Sequence, residues 1–442
     1  MTGRWLAWAD PRRPPARPEG AGSLARLILV LPTVPIQPRC VDDYAESAGE
    51  EAVERLREAA RPLAGARVLH VNTTAFGGGV AELLHTQVPL MNDLGLDTTW
   101  VIFEGSDEYF AVTKAVHNAL QGAETLLTAE MRDTYMRRAR ENAESFPGGF
   151  DFVFVHDPQP AALLPILEEK GRPPGWWLWR CHIDLSAPYR PVWEYFEPTV
   201  NRYDAAIFTA KEYTQPGLTR PKLAFIPPSI DPLSPKNHSM SEESSLEILA
   251  HFAIDPGRPI VTQVSRFDPW KDPLGVIDAF RLARKEIEGL QLVMVGSLAH
   301  DDPEGMHYLE LTNDHRDGDL DIHLLTNLDG VGDTAVNAIQ RMSTVVVQKS
   351  LREGFGLVVA EGMWKEKPVV GGDVGGIRLQ LDDGVTGFLV DSVGACAEQI
   401  VRLVGDDDLR ARIGRAAKER VRERFLSLRE VEDYLRLMAS LG

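Results

Sequence analysis

Short apolar runs alternate along the chain with stretches whose apolar residues recur at helical spacing. In the first half, 67–72 (RVLHVN), 98–103, 151–155, 176–181, 204–209 and 223–227 read as strands. In the second half the same pattern falls on 259–264, 290–296, 322–325, 345–347, 368–370 and 386–390. Helical spacing covers 42–63, 80–94, 109–122, 241–252, 357–364, 395–404, 409–425 and 428–441, with a bend expected at Pro89. Strand, loop, helix, strand is the unit of a parallel α/β sheet. At 442 residues the chain exceeds a usual single domain. PPSIDP, 227–232, reads as a linker. The expected division is a leader with a first strand over 1–40, a domain over 41–230, a second over 231–425, and a closing helix over 426–442.

The stretch 345–376, VVVQKSLREGFGLVVAEGMWKEKPVVGGDVGG, carries the densest chemistry. Its loop holds Glu353-Gly354-Phe355-Gly356, a helix starts at Leu357, and seven residues separate Glu353 from Glu361. Glycines opening a helix let a ligand approach backbone N–H groups, and the helix N-terminus favours an anion. Two carboxylates two turns apart can accept hydroxyl hydrogens at both ends of one polar ligand. A sugar nucleotide has that layout. The plainer alternative is an ordinary βαβ unit with a solvated Glu361.

Other loops add to this. TTAFGGG, ending in Gly77, Gly78 and Gly79, joins a strand to a helix but matches neither GxGxxG nor a Walker loop. Three glycines in a row exceed the needs of a turn and point to close backbone approach by a ligand. In 109–122, Lys114, Asn118 and Gln121 share one helix face; a solvated stripe and a carbohydrate site fit that spacing equally. The strands at 151–155 and 176–181 run into His156-Asp157 and into His182 and Asp184, and ligands in open α/β sheets bind beyond such strand ends. No third or fourth ligand is spaced for a metal, and no G-x-S-x-G elbow supports a hydrolase triad. Arg266 and Lys271 make a cationic loop after another strand, suited to a diphosphate unless Asp268 and Asp272 merely pair with them. Asp317, Asp319 and Asp321 form a DxD pattern, but it precedes a strand, so it reads as a turn.

Charge and cysteines narrow the partners. A formal charge of -18 argues against nucleic acid and anionic membranes. Three scattered cysteines suit a reducing cytoplasm and exclude a zinc cluster. No apolar run approaches the ~20 residues of a membrane span. The first 26 residues, with five arginines and four prolines, read as a flexible leader before the apolar run 27–31. A secretory signal is the lesser alternative, because no small-residue cleavage site follows.

Residues 259–425 resemble the donor domain of family-four retaining glycosyltransferases, the large group that includes sucrose and glycogen synthases. HVNTTAFGGGVAELLHTQVPL (70–90), VTKAVHNALQG (112–122), VHDPQPAALL (155–164) and WRCHIDLSAP (179–188) resemble glycosyl-transferring trehalose synthases. The trehalose phosphorylases of the same superfamily share much of this pattern. The resemblance implies an α/β fold of GT-B type, two facing Rossmann-like domains with the active site in the cleft between them. It implies retaining transfer from ADP-, UDP- or GDP-glucose to free glucose, giving α,α-trehalose without a metal or other cofactor. Phosphorolysis through glucose 1-phosphate is the alternative enzyme, and a sugar-nucleotide sensor the non-catalytic one. By resemblance, Arg266 and Lys271 neutralise the diphosphate and Glu361 holds the ribose. Glu353, with Gly354, Phe355, Gly356 and Leu357, holds the glucosyl hydroxyls. Gly77 to Gly79 lie against the diphosphate, and His182 contacts the donor sugar. The acceptor is expected among Lys114, Asn118, His156 and Asp157. The partners implied are small molecules, with no nucleic acid or membrane, and a homodimer is left open.

Overall fold

The structure is a computed structural model and describes residues 31–297 and 303–442. Twelve strands form two six-stranded sheets in which every pairing between strands is parallel. The first holds β1 (Arg67–Asn72), β2 (Asp97–Ile102), β3 (Phe152–His156), β4 (Trp176–Arg180), β5 (Ala205–Phe208) and β6 (Lys222–Phe225), in the order β2-β1-β3-β4-β5-β6. The second holds β7 (Ile260–Val264), β8 (Gln291–Gly296), β9 (Ile322–Thr326), β10 (Val345–Gln348), β11 (Val369–Gly372) and β12 (Phe388–Val390), in the order β12-β11-β10-β7-β8-β9. Strands such as Phe152–His156 and Val345–Gln348 are buried along their whole length, as helices on both faces of a parallel sheet require. The α/β class and the two Rossmann-like sheets read from the sequence are those of the structure.

The strand orders matter for function. The order reverses between β1 and β3 in the first sheet and between β7 and β10 in the second. A doubly wound sheet opens a crevice at that reversal, beyond the carboxyl ends of the strands. The loops there are the glycine loop after β1, the His156-Asp157 end of β3, the Arg266–Lys271 loop after β7 and the Glu353 loop after β10.

The chain crosses between the sheets twice at one place. Ile230 donates its N–H to the Phe425 carbonyl at 2.8 Å, and Ser427 donates to the Ile230 carbonyl at 3.1 Å. Ser229 Oγ donates to Glu430 Oε2 at 2.5 Å beside them. The last helix, Ser427–Ala439, thereby returns to the first sheet, where Leu428, Val431 and Tyr434 pack in one core with Val68, Phe154 and Leu178. The leader and most of the first strand expected before residue 41 lie outside the described residues. The described part, Leu31 to Val34, runs along the edge of β2, with Thr33 bridged antiparallel to Val101. Among the described residues no helix is long and apolar enough to cross a membrane.

Candidate active site

A cavity of about 1090 Å³ lies between the carboxyl ends of the two sheets. Its centre is a meeting of two helix N-termini. From the first domain comes the helix Gly79–Asp93, and from the second the helix Leu357–Trp364. A Cβ added to Gly79 would stand 3.3 Å from Leu357 Cδ1, so the helices start almost in contact. Neither N-terminus has a side-chain cap. Gly77 and Gly78, at φ of 73° and 102°, and Gly356, at 83°, occupy the left-handed region that side-chain-bearing residues avoid. The glycines therefore serve two ends: they turn the chain, and they bare backbone N–H groups to an anion in the cleft.

Cations stand beside these termini. Lys271 Nζ lies 2.6 Å from Glu353 Oε2, which also accepts from Ser350 Oγ at 3.1 Å. Arg266, its side chain 57% exposed, reaches Asp268 at 3.0 Å. Of the two aspartate pairings that the sequence left open, Arg266 with Asp268 is present and Lys271 with Asp272 is not, since Asp272 caps the next helix and pairs with Lys349. Glu361 is only 1% exposed and accepts from Gln340 Nε2 at 2.9 Å. The alternative of a solvated Glu361 is therefore excluded. Lys236 and Glu82 form an ion pair of 2.7 Å in the same region. Burial works against the Lys236 cation, but Glu361 and Glu82 outweigh it and hold its pKa above the ordinary lysine value.

On the first domain's wall, His182 and Asp157 face the cavity. Asp157, in the left-handed region at φ 63°, accepts the His182 backbone N–H at 2.8 Å. Burial pushes its carboxyl up to about 7, against the pull of that hydrogen bond and of Arg180. The His182 carbonyl lies where a Cβ on Gly354 would meet it at 2.6 Å, so the Glu353 loop rests on this strand end. Tyr213 Oη fixes the same loop by donating to the Glu353 and Gly354 carbonyls, both at 3.1 Å.

Thus Gly77 to Gly79, Asp157, His182, Arg266, Lys271, Glu353 to Leu357 and Glu361 come together around one cavity. Three expected acceptor residues do not. His156 is 1% exposed, with one ring nitrogen used by His70 and the other by His182. It is the end of a buried strand, and the residues beyond it reach the cleft instead. Lys114 and Asn118 are half-buried but do not line the cavity; His117 and Gln121, on the adjoining face of that helix, do. Burial lowers the His117 pKa to about 4, and the Arg266 cation adds to this. Asp184 caps its own loop through Ser186 N–H at 2.8 Å. The sequence reading had Gln121 on its candidate face but missed His117 and Arg352, which bonds the Gln121 carbonyl and lies 5.4 Å over the Trp270 ring. Helix phase and cross-domain pairs carry no sequence signal that could have found these. Asp317 to Asp321 form a turn, with φ of 54° at Asp317 and Arg284 on Asp319 at 2.7 Å.

Asp157 leads to a pH dependence. Below about pH 7 it is a neutral acid, and above it a carboxylate. If the carboxylate receives the hydroxyls of an acceptor, acceptor kcat/KM is expected to fall roughly tenfold per unit below that pH. Asp157→Asn should flatten this acidic limb in a pH-rate profile. Because the fold holds this proton more tightly than the unfolded chain, the group's contribution to stability is lost as pH rises from about 4 to about 7.

These features define a class of enzyme, a glycosyltransferase of two facing Rossmann-like domains. Residues 245–420 match the family "Glycosyl transferases group 1". Among solved structures, α,α-trehalose 6-phosphate synthase from Burkholderia multivorans superposes with a TM-score of 0.67, covering 85% of this chain and 97% of that one. At 15% identity the likeness is one of fold. Residues 70–215 match "Trehalose synthase, N-terminal domain". Over 406 residues the chain is 49% identical to the trehalose synthase of Pyrococcus horikoshii, covering 91% of this chain and 97% of that protein. It is 28% identical to the trehalose phosphorylase of Pleurotus pulmonarius over 79% of this chain and 54% of that protein. The chain belongs to the trehalose synthase family and is a hexosyltransferase.

Proposed function

We propose that the chain joins the glucosyl group of a nucleoside-diphosphate glucose to free glucose, reversibly and with retention, forming α,α-trehalose. The carrying observation is the pair of uncapped helix N-termini facing across the cleft beside Lys271 and Arg266. A diphosphate between them receives backbone N–H groups from both domains and two cations. Glu361, buried nearby, is a ready acceptor for ribose hydroxyls. A sugar phosphate without a nucleoside leaves Glu361 no such partner, which favours nucleotide over phosphate as the leaving group.

The chemistry follows from charge. As the glycosidic bond breaks, negative charge grows on the departing phosphate, where fixed dipoles and cations stabilise it most. The acceptor hydroxyl attacks from the same face, and the departing phosphate oxygen takes its proton. Contact between the two domains at Gly354 and Gly79 keeps water from the oxocarbenium-like sugar.

The acceptor side supports a neutral sugar. Glucose 6-phosphate carries about two negative charges near neutrality. Asp157 would oppose them. Arg190 and Arg202 pair with Glu194 and Glu168, both at 2.6 Å, and neither lines the cavity. Arg39 pairs with Asp231 at 2.8 Å. The test is kcat/KM for glucose against glucose 6-phosphate at saturating nucleotide-glucose. Glucose should be strongly preferred, and a preference for the phosphosugar would overturn the assignment. With Arg266 and Lys271 at the diphosphate, activity should also survive exhaustive chelation; loss restored only by Mg²⁺ or Mn²⁺ would contradict their role.

A further inference from the structure

Three histidines stand in a row behind the cleft, and the hydrogen bonds between them have a direction. His70 lies on β1, His156 ends β3, and His182 follows β4. In register His70 pairs with Phe154 and His156 with Arg180. Each step therefore moves one strand across and two residues along, which keeps all three side chains on one face of the sheet. Successive rings stack with centroids 5.3 Å apart. His70 Nδ1 is 3.0 Å from His156 Nε2, and His156 Nδ1 is 3.0 Å from His182 Nε2.

All three rings are neutral. Burial takes His70 to about 3. Burial also holds His156 and His182 well below the ordinary histidine value, and the buried Arg180 cation adds to this in both. A neutral imidazole has one N–H, so two linked N···N bonds allow only two proton arrangements. Either every Nδ1 carries the proton and His182 turns an N–H to the cleft, or every Nε2 does and His182 offers a bare lone pair. His70 Nε2 decides between them, because it is buried with no hydrogen-bond partner among the described residues. In the second arrangement it would be a buried N–H with no acceptor, which costs more to take out of water than an unused lone pair. In the first it is only an unused lone pair.

We propose that His70 and His156 are positioning residues that fix His182 as a donor from Nδ1–H, aimed at an oxygen of the bound donor sugar. The inference rests on the reaction proposed above for its ligand, but the tautomer itself can be read without turnover.

The experiment is ¹⁵N NMR of the full chain labelled at histidine, where protonated and bare ring nitrogens resonate in separate ranges. His182 should carry its proton on Nδ1; a proton on Nε2 overturns the proposal. The kinetic arm compares His156→Leu with His156→Asn, whose amide N–H can still donate to His182 Nε2. Leucine should lower kcat for glucosyl transfer on the order of tenfold with little change in KM, and asparagine should restore most of it while keeping the Nδ1–H signal. Equal losses in both variants, or none in either, would overturn the positioning role. If transfer to glucose proves not to be the reaction, the NMR result still stands or falls alone.

Discussion

Lys271→Ala should lower kcat/KM for glucosyl transfer by roughly two to three orders of magnitude, the scale seen when one preorganised donor to a developing anion is removed. Two effects converge on this residue. Lys271 supplies positive charge where the departing phosphate gains negative charge. It also holds Glu353, 2.6 Å away, in a pair whose side chains are 16% and 10% exposed. Removing one partner of a buried pair strands the other, at a cost of about 3 kcal/mol where the pair borders an open cleft. The single variant should therefore lose thermal stability as well as activity. Lys271→Met with Glu353→Gln separates the two. The double variant should recover most of the melting temperature and none of the activity. Near-normal kcat/KM in a folded Lys271→Ala protein would remove this loop from the chemistry.

Gly354→Ala should cost about a hundredfold in kcat, as expected when reacting groups are displaced by about 1 Å. The new methyl would stand 2.6 Å from the His182 carbonyl oxygen, and that oxygen is backbone. Neither side yields easily. The loop is tied by Tyr213 Oη to two of its carbonyls and by the Gly376 N–H to the Glu353 carbonyl at 3.0 Å. His182 N–H is held by Asp157. Relief comes most readily from moving the second domain away from the first, which separates the facing helix N-termini. Steady-state kinetics should show the loss with unfolding little changed. Unaltered kcat would mean that the domain contact at Gly354 is not part of the reacting arrangement.

What the sequence made legible follows from the range of the physics involved. Strands such as Arg67–Asn72 and the helix Leu357–Trp364 declare themselves through local pattern, and their bounds match the structure to the residue. Glu353, Glu361 and the glycine loops were legible because each combines a strand end with an unusual local composition. The turn at Asp317 was legible because strand polarity fixes which end faces the ligand. The rotation of the helix Asp107–Leu120 was not. The pair Lys114 and Asn118 and the pair His117 and Gln121 share the same spacing and are offset by three residues, about 60° of rotation around the helix, which tertiary packing sets. His156 was misplaced for a related reason: a strand end is readable, but how far it stops short of the cleft depends on register with β4. The Gln340–Glu361 and Lys236–Glu82 contacts join residues 21 and 154 positions apart, and no motif links them. The three-histidine row needs the register of β1, β3 and β4 together.

The most direct measurement is product analysis by NMR, with labelled ADP-, UDP- and GDP-glucose each offered with free glucose in phosphate-free, chelator-treated buffer. At least one donor should yield α,α-trehalose and nucleoside diphosphate in equal amounts, with the α configuration of the transferred glucosyl retained. No trehalose from any nucleotide-glucose, together with its formation from glucose 1-phosphate and glucose, would contradict the proposed reaction and leave a phosphorylase in its place.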